Sequence, residues 1–490
     1  MKRLIFAALS LATVLIPQTT LSQVAKIDDA EYSTIEEAFE NAADLQTIML
    51  QEDATISSTI SVSKEITLDL QGYTIYNDGS LKNLISIGTA GTLTIKGNGA
   101  IVHGGTNASN VVYVLGTLNL ESGTLSNGMA STATVYVYNG IFNMSGGCIK
   151  NTCEGTSSTE YFEQKCTALH IQYSKTSTNK TKITGGSIIS NEAAIYNATA
   201  TGSKATVDIG DDVEISGLIC ANNGPEYFTS IPTRYTIFSK STTVGTQENV
   251  VYNLSGSPTC PKLTLSDSQQ FLTPRKFTAT TSSYTRDMTN TWGTLCVPFA
   301  IDIESSNVEC YSITGVSGTE LTLSQHAANI DAGTPVVIKK KDETASQISI
   351  VGVASSTVCT AAAEPTTSDA NMYGTFTGTT IKNTANINYY FIANNMFYQA
   401  GKDTTIPPYR SYFTLSKFNP NSNTWTPSPS FNIVISGNEI TGIESATDAQ
   451  DFFDGIVAVY NISGQRQDDI KPGVNIVKYS NGATRKIIVK

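Results

Sequence analysis

The sequence predicts an all-β protein: a parallel β-solenoid with three strands per coil of about 25 residues, then a β-sandwich and a small C-terminal β unit. Three observations carry that expectation. Short segments of alternating apolar and polar residues recur at a near-constant step, Thr, Ser, Asn and Gly stand where charge would be, and no long helical pattern occurs. Charged residues make up 15% of the 490-residue chain, against about a quarter in an average soluble protein. Such a length exceeds one ordinary core and suggests several domains.

The chain opens with Lys2 and Arg3, an apolar run from Leu4 to Ile16, and small residues at Thr20 and Ser22. This is the pattern of a secretory signal peptide over residues 1–22, with cleavage expected near Ser22. The apolar run is too short to span a bilayer, and no later run reaches about 18 apolar residues. Formal net charge is −11, and loss of Lys2 and Arg3 makes it two units more negative. Nonspecific binding to nucleic acid or an anionic membrane is therefore not expected.

Residues 33–44 read as a short amphipathic helix. Ser33-Thr-Ile-Glu36 spells a capping box, and Ile35, Ala38, Phe39 and Ala42 share one face. That helix is expected to plug the open first coil.

The coils follow in Ile66-Thr-Leu-Asp-Leu70, Thr92-Leu-Thr-Ile95, Thr117-Leu-Asn-Leu120, Ile141-Phe-Asn-Met144, Thr181-Lys-Ile183 and Thr206-Val-Asp-Ile209. With Leu68, Leu93, Leu118, Phe142, Thr181 and Val207 equivalent, the steps are 25, 25, 24, 39 and 26 residues. A second strand follows a Gly, as in Gly123-Thr-Leu125 and Gly147-Cys-Ile149. A third lies in Leu84-Ile-Ser-Ile87, Val111-Val-Tyr-Val114, Thr134-Val-Tyr-Val137, Leu169-His-Ile171 and Ala194-Ile-Tyr196. Three short strands per repeat, with no helix between, close as a stack of coils around one aliphatic column. Asn77, Asn127, Asn151 and Asn191 each come two residues after an apolar strand residue and are expected to stack at a corner.

The 39-residue step carries an insertion bracketed by Cys153 and Cys166. These two are expected to pair; two free thiols, or other partners among the eight Cys, are the alternative. No C-x-x-C pair exists and His is limited to His103, His170 and His326, which argues against a zinc site.

The segment from Tyr32-Ser-Thr-Ile-Glu-Glu-Ala-Phe39 through Thr47-Ile-Met-Leu50 to Ile66-Thr-Leu-Asp-Leu-Gln-Gly-Tyr-Thr-Ile75 resembles the opening coils of right-handed parallel β-helices of the pectin-lyase-like superfamily. The later Thr-Leu-x-x-x-Gly-Gly-Thr-Ile-x-x-Asn units are similar to those of secreted bacterial adhesin-like β-helices. The resemblance covers roughly residues 27–255 and implies a fold rather than an activity, since that superfamily holds lyases, hydrolases, esterases and noncatalytic binders.

Enzymes on such a fold need carboxylates clustered on one outer face. The outward row reads Asp69, Thr94, Asn119, Asn143, Lys182 and Asp208, with its two Asp at opposite ends. A tighter group is Asp208, Asp211, Asp212 and Glu214; Asp208, Asp211 and Asp212 are the candidate metal ligands, for calcium, beside the plainer reading of a solvated turn. His103-Gly104 lacks the preceding Gly of the polygalacturonase branch and no Arg-x-Lys follows, so no catalytic residue transfers from the superfamily. Tyr136 and Tyr138 are candidate sugar-stacking residues, or else ordinary strand tyrosines. With Tyr113 taken as the equivalent of Val137, it falls on the other face from them.

From about Pro261 the coil period is lost and longer strand patterns appear, which places a β-sandwich over residues 261–430 after a β-helix over 23–260. Tyr284-Thr-Arg-Asp-Met288, Trp292-Gly-Thr-Leu-Cys-Val-Pro-Phe299, Ala332-Gly-Thr-Pro335 and Pro407-Pro-Tyr-Arg-Ser-Tyr-Phe413 together resemble an all-β module found near the C-termini of bacterial surface proteins with leucine-rich or β-helical repeats. Trp292 reads as core. Trp425, among polar turn residues, is a further candidate for ligand stacking, beside the plainer reading of local packing. Residues 431–490 form a last unit whose Val459-Tyr-Asn-Ile-Ser-Gly464, Gly473-Val-Asn-Ile-Val477 and Arg485-Lys-Ile-Ile-Val-Lys490 resemble the C-terminal sorting domain of type IX secretion cargo, with Val474-Asn475 in place of the commoner apolar-Tyr pair. That resemblance implies export machinery as a partner and a Gram-negative outer-membrane context; a stalk that stays with the protein is the alternative.

The expectation is an exported, noncatalytic protein, displayed at the cell surface or released, that binds a polysaccharide or a host or matrix glycoprotein. A polysaccharide lyase or glycoside hydrolase is the rival, and a structural surface spacer a third reading. No cofactor is expected, with calcium at the Asp208, Asp211 and Asp212 turn as the alternative.

Overall fold

The computed structural model describes residues 23–489 apart from 78–80, 105–108, 130–131, 154–165, 268, 318–319, 365–370, 382–386, 394, 401–402, 417–429, 436–455, 462–464, 468–472 and 480–483. The signal segment 1–22 and Trp425 lie outside the described residues.

The chain enters through a hairpin, Ala25–Ile27 with Ala30–Tyr32, whose first strand also pairs antiparallel with Thr47–Leu50. Between them stands the helix Ile35–Asn41. Its N-cap is Thr34, whose hydroxyl accepts the Glu37 N–H at 3.2 Å, while the Ser33 hydroxyl donates to the Glu37 carboxylate at 2.8 Å. The helix starts later than residue 33 because Thr34-x-x-Glu37 spells the same box as Ser33-x-x-Glu36 and the backbone takes the later one, and it ends at Asn41, where Ala42 leaves the helical conformation. Glu36 is left to accept the Ser57 and Ser58 N–H groups at 2.7 and 3.3 Å, which ties the helix to the first coil. Ile35, Ala38, Phe39 and Ala42 join the apolar cluster of the coil core.

From Thr47 the strands run in a fixed cycle. A first face stacks Thr47–Leu50, Glu65–Asp69, Thr92–Lys96, Thr117–Leu120, Ile141–Met144, Lys180–Ile183 and Thr206–Ile209, each parallel to the next. A second face stacks Ala54–Ile56, Thr74–Asn77, Ala100–His103, Thr124–Asn127 and Cys148–Asn151, and a third stacks Ile60–Val62, Asn83–Ile87, Asn110–Val114, Ala133–Tyr138 and Thr167–Gln172. The long strands Gly186–Asn197 and Val213–Ala221 then carry both the second and third faces, with register shifts between Ile189, Ala193 and Ile195. The arrangement fits a parallel β-helix.

The core is built by residues in register. Ile75, Ile101, Leu125, Ile149, Ile188 and Ile215 line up on the second face, and Ile85, Val112, Val135, Leu169, Ile195 and Ile219 on the third. All are buried; each Ile or Leu so placed contributes about 1.5–3 kcal/mol by leaving water. Thr181 interrupts the first-face column, and its hydroxyl is satisfied by that of Tyr173 at 2.8 Å. Corners between the first and second faces turn through glycines, among them Gly123 (φ +85°) and Gly147 (φ +77°). A Cβ on Gly147 would lie 2.7 Å from the Gly123 carbonyl oxygen of the coil before.

Two registers differ from the sequence expectation. Leu93, Leu118, Phe142, Thr181 and Val207 are equivalent as expected, but Leu93 lies opposite Ile66 and Leu68 lies opposite Ile95. A slip of two residues preserves inside and outside, so alternation cannot detect it. In the outward row Thr67 consequently takes the place expected for Asp69, and Asp69 sits beside Lys96, their charged atoms 3.9 Å apart. At the second corner the ladder is Asn77, His103, Asn127, Asn151 and Ser190. Asn191 falls one residue beyond and donates to the Cys153 carbonyl at 2.9 Å. These amides serve the turn backbone: Asn127 donates to the Ser109 carbonyl at 2.7 Å and accepts the Met129 N–H at 2.9 Å. Asn151 does the same toward Thr167 and Cys153, at 3.2 and 3.0 Å.

Cys153 and Cys166 form a disulfide with Cα atoms 5.4 Å apart, closing the insertion at its base. The other six cysteines are free.

The second half is built of further, mainly antiparallel sheets. One contains Thr259–Ser266, Phe277–Asp287, Gln347–Gly352, Ile301–Asp302 and Ser356–Val358. A nine-stranded sheet runs from Trp292–Leu295 through Val336–Lys340, Val308–Ser317 and Glu320–Gln325 to Ser430–Ile435, and on to Arg410–Ser416 and Asn371–Thr375. One apolar cluster joins outward residues of the last coils, Tyr196, Cys220, Phe238 and Val251, to Phe277, Tyr284, Phe299 and Tyr409 of the second half. The strands Ile456–Asn461, Arg466–Gln467, Gly473–Tyr479 and Thr484–Val489 form a separate four-stranded antiparallel sheet in which Asn475 is buried, in register with Asn461 and Ile487.

Candidate functional site: a tyrosine strip and a carboxylate-lined cleft

The middle outward position of the third face is occupied in successive coils by Ser86, Tyr113, Tyr136, His170 and Tyr196. Tyr113 therefore lies opposite Tyr136, not Val137, and shares the outer face with Tyr136 and Tyr138. The expectation failed because corner loops differ in length: Val112 and Val135 step by 23 residues on the third face, whereas Leu118 and Phe142 step by 24 on the first. A step read on one face does not carry to another.

The three rings touch. Tyr113 meets Tyr136 edge-on with centroids 5.4 Å apart and lies nearly parallel to Tyr138 at 6.5 Å, while Tyr136 and Tyr138 meet edge-on at 6.2 Å. Tyr138 is exposed and the other two are half-buried. The Tyr136 hydroxyl donates to the Gln172 side-chain oxygen. Burial, then the neighbouring phenols Tyr113 and Tyr138, push the Tyr136 hydroxyl up to about 12, so it stays a neutral hydrogen-bonding group. On its far side Tyr136 is covered by His170, a residue the sequence did not mark as a binding candidate. The signal was there, in the repeated middle position of Val-Tyr-Val, Leu-His-Ile and Ile-Tyr.

A second feature lies at the last coils. A cleft of about 960 Å³ is lined by Asp211, Asp212, Glu214, Arg234, Tyr235 and Gln269, among others. It draws the second-half segment Gln269 to Leu272 against the turn at Asp211, a proximity no local pattern announces. Arg234 Nη2 donates to the carbonyls of Asp211 and Val213, the latter at 2.9 Å, and the guanidinium rests over the Tyr235 ring, 4.8 Å from its centroid. The Tyr235 hydroxyl donates to the Val213 carbonyl at 3.0 Å and accepts the Ile215 N–H at 2.8 Å. Arg234 and Tyr235 thus clamp the turn backbone, and the carboxylates of Asp211, Asp212 and Glu214 stand exposed beside them.

Asp208 is not part of this cleft; it lies on the first face and accepts a hydrogen bond from the Thr229 hydroxyl. Among the described residues no group of three or more His, Cys, Asp and Glu side chains is placed to hold a metal ion. Trp292 is half-buried against Tyr311, ring centroids 5.2 Å apart. No helix among the described residues is long and apolar enough to cross a membrane.

No family model matches the chain, and neither a curated protein nor a solved structure matches it.

Proposed function

We propose that this chain is an exported, noncatalytic right-handed parallel β-helix protein that binds a polysaccharide or a host or matrix glycoprotein at the cell surface or after release. The contact of Tyr113, Tyr136 and Tyr138 on one outer face carries the reading. Aromatic faces suit the apolar faces of pyranose rings, and three rings on a rigid sheet form a preorganised platform with phenol hydroxyls at its edge. The coils make the surface long and stiff, as extended binding needs. The resemblance of the C-terminal unit to a sorting domain supports export to a Gram-negative surface. The test is a glycan and matrix-protein array probed with the full chain and with Tyr138→Ala. Binding to a glycan class that falls about three- to tenfold in the variant supports the reading; undiminished binding refutes the strip as the site.

One observation favours a second reading, a polysaccharide lyase or glycoside hydrolase. The cleft gathers Asp211, Asp212 and Glu214 with Arg234, the residue types that acid–base chemistry on a sugar requires. New reducing or unsaturated ends released from acidic or neutral polysaccharides, and lost in a joint Asp211→Ala and Asp212→Ala variant, would establish it.

A further inference from the structure

The second half holds a pocket of its own. A cavity of about 280 Å³ opens beside the strands Phe277–Asp287, Trp292–Leu295 and Arg410–Ser416, with Arg286 in its wall and Trp292 and Phe391 among its lining. Arg286 is only 4% exposed. Its Nη1 donates to the Thr294 carbonyl at 3.0 Å and its Nη2 to the Met288 sulfur at 3.0 Å. A carbonyl is uncharged and a thioether is a weak acceptor. Among the described residues no carboxylate forms an ion pair with it.

The other guanidinium of the pocket is already engaged. Arg410 meets both oxygens of Asp267, at 2.6 and 2.9 Å, and donates to the Tyr284 hydroxyl at 3.1 Å. Two guanidiniums thus share one carboxylate. Asp287 also lines the pocket, its carboxylate exposed and accepting from Gln347 at 3.0 Å. Burial, and after it the repulsion of Arg410, lowers Arg286 only to about 10, so it remains charged at neutral pH. The carboxylate whose charge reaches Arg286, that of Asp267, is already held by Arg410, and a buried charge so incompletely compensated is costly for a fold to keep. Gly293 keeps the space for it: a Cβ there would come within 2.8 Å of Arg286 Nη2.

We propose that this pocket binds a ligand through a single carboxylate, with Arg286 supplying the counter-charge and Trp292 a flat apolar surface for the ring that carries it. The planar fork of a guanidinium matches a carboxylate, and the volume suits one ring rather than a chain of them. Two sources offer this chemistry, a uronic acid unit of a glycan and a free aromatic acid. The site stands apart from the tyrosine strip, so either can fail without the other.

The test is titration of the full chain with sodium glucuronate, benzoate, inorganic sulfate and glucose at matched ionic strength, read by calorimetry and by tryptophan fluorescence. Saturable binding of glucuronate or benzoate at millimolar concentrations, no response to glucose, and a loss of at least about tenfold in Arg286→Lys are expected, because Lys keeps the charge and loses the fork. The preferred carboxylate names the source. Should the variant fail to fold, a rise in the wild-type melting temperature with carboxylate, but not with glucose, supports the proposal. Sulfate binding more tightly than both carboxylates, or no saturable response to any anion, overturns it.

Discussion

The imidazole of His170 lies flat against the ring of Tyr136, centroids 4.4 Å apart and planes 13° from parallel, with Tyr196 edge-on at 5.0 Å on its other side. The stack leaves His170 only 2% exposed, and its Nε2 has no hydrogen-bond partner among the described residues. Burial lowers it to about 4, so it is neutral at neutral pH.

That lowering makes His170 a source of acid sensitivity. In the unfolded chain the ring takes a proton as pH falls through about 6.5, while in the folded chain it resists until about 4. Its contribution is therefore full above pH 6.5, declines between about 6.5 and 4, and is lost below; it amounts to roughly 3 kcal/mol. Urea midpoints between pH 7 and pH 4 should fall less steeply in His170→Phe, which keeps a ring in the stack and removes the titration. Parallel slopes in the two proteins would show that His170 takes up its proton alike in the folded and unfolded chains, and that burial does not hold it neutral.

Tyr136 and Tyr138 should separate binding from stability. Tyr138 is exposed, so Tyr138→Ala should change unfolding free energy by no more than about 0.5 kcal/mol. Tyr136 is half-buried under His170, and Tyr136→Ala should cost on the order of 2 kcal/mol. Equilibrium urea unfolding of both variants reads the difference.

Cys153 and Cys166 should resist alkylation in the unreduced protein, while half-buried Cys148 reacts. Replacing both bridged cysteines by Ala should lower stability by about 3 kcal/mol in the chain-entropy description of a short closed loop. Mass spectrometry after iodoacetamide treatment checks the first point, and denaturant midpoints the second.

Gly147→Ala should cost about 2 kcal/mol or more, since a side chain at φ +77° is strained and the Gly123 carbonyl lies where its Cβ must go. Gly128→Ala is the control. Its Cβ would meet Thr152 at an ordinary 3.6 Å, and the expected change is within about 0.5 kcal/mol.

What the sequence revealed followed the range of the forces involved. Alternation, capping and the corner glycines are local, and the coils, the helix and the inserted bridge were legible from them. Register is not local: Leu68 slipped by two residues against Ile95, and Tyr113 changed sides, because corner loops absorb length differences that no face reports. The rung at His103 stayed hidden because its neighbours on the ladder are amides, and Ser190 because Asn191 stood next to it. The clefts lay furthest from view. Asp211 comes to share a cleft with Gln269, and Arg286 one with Arg410, only after the chain returns over distances that no window of sequence spans.

The coil stack is closed by the Ile35–Asn41 helix at one end, and outward residues of its last coils, Phe238 and Val251, are sealed under the second half. The middle coils, from Thr92 to Asn151, touch neither seal directly. Change of length is therefore a matter for the interior of the stack: a whole coil gained or lost there leaves both seals as they are, with the outward row lengthened or shortened by one position. A cut near residue 260 has no such freedom, because it strips Phe238 and Val251 of their cover and leaves an adhesive end.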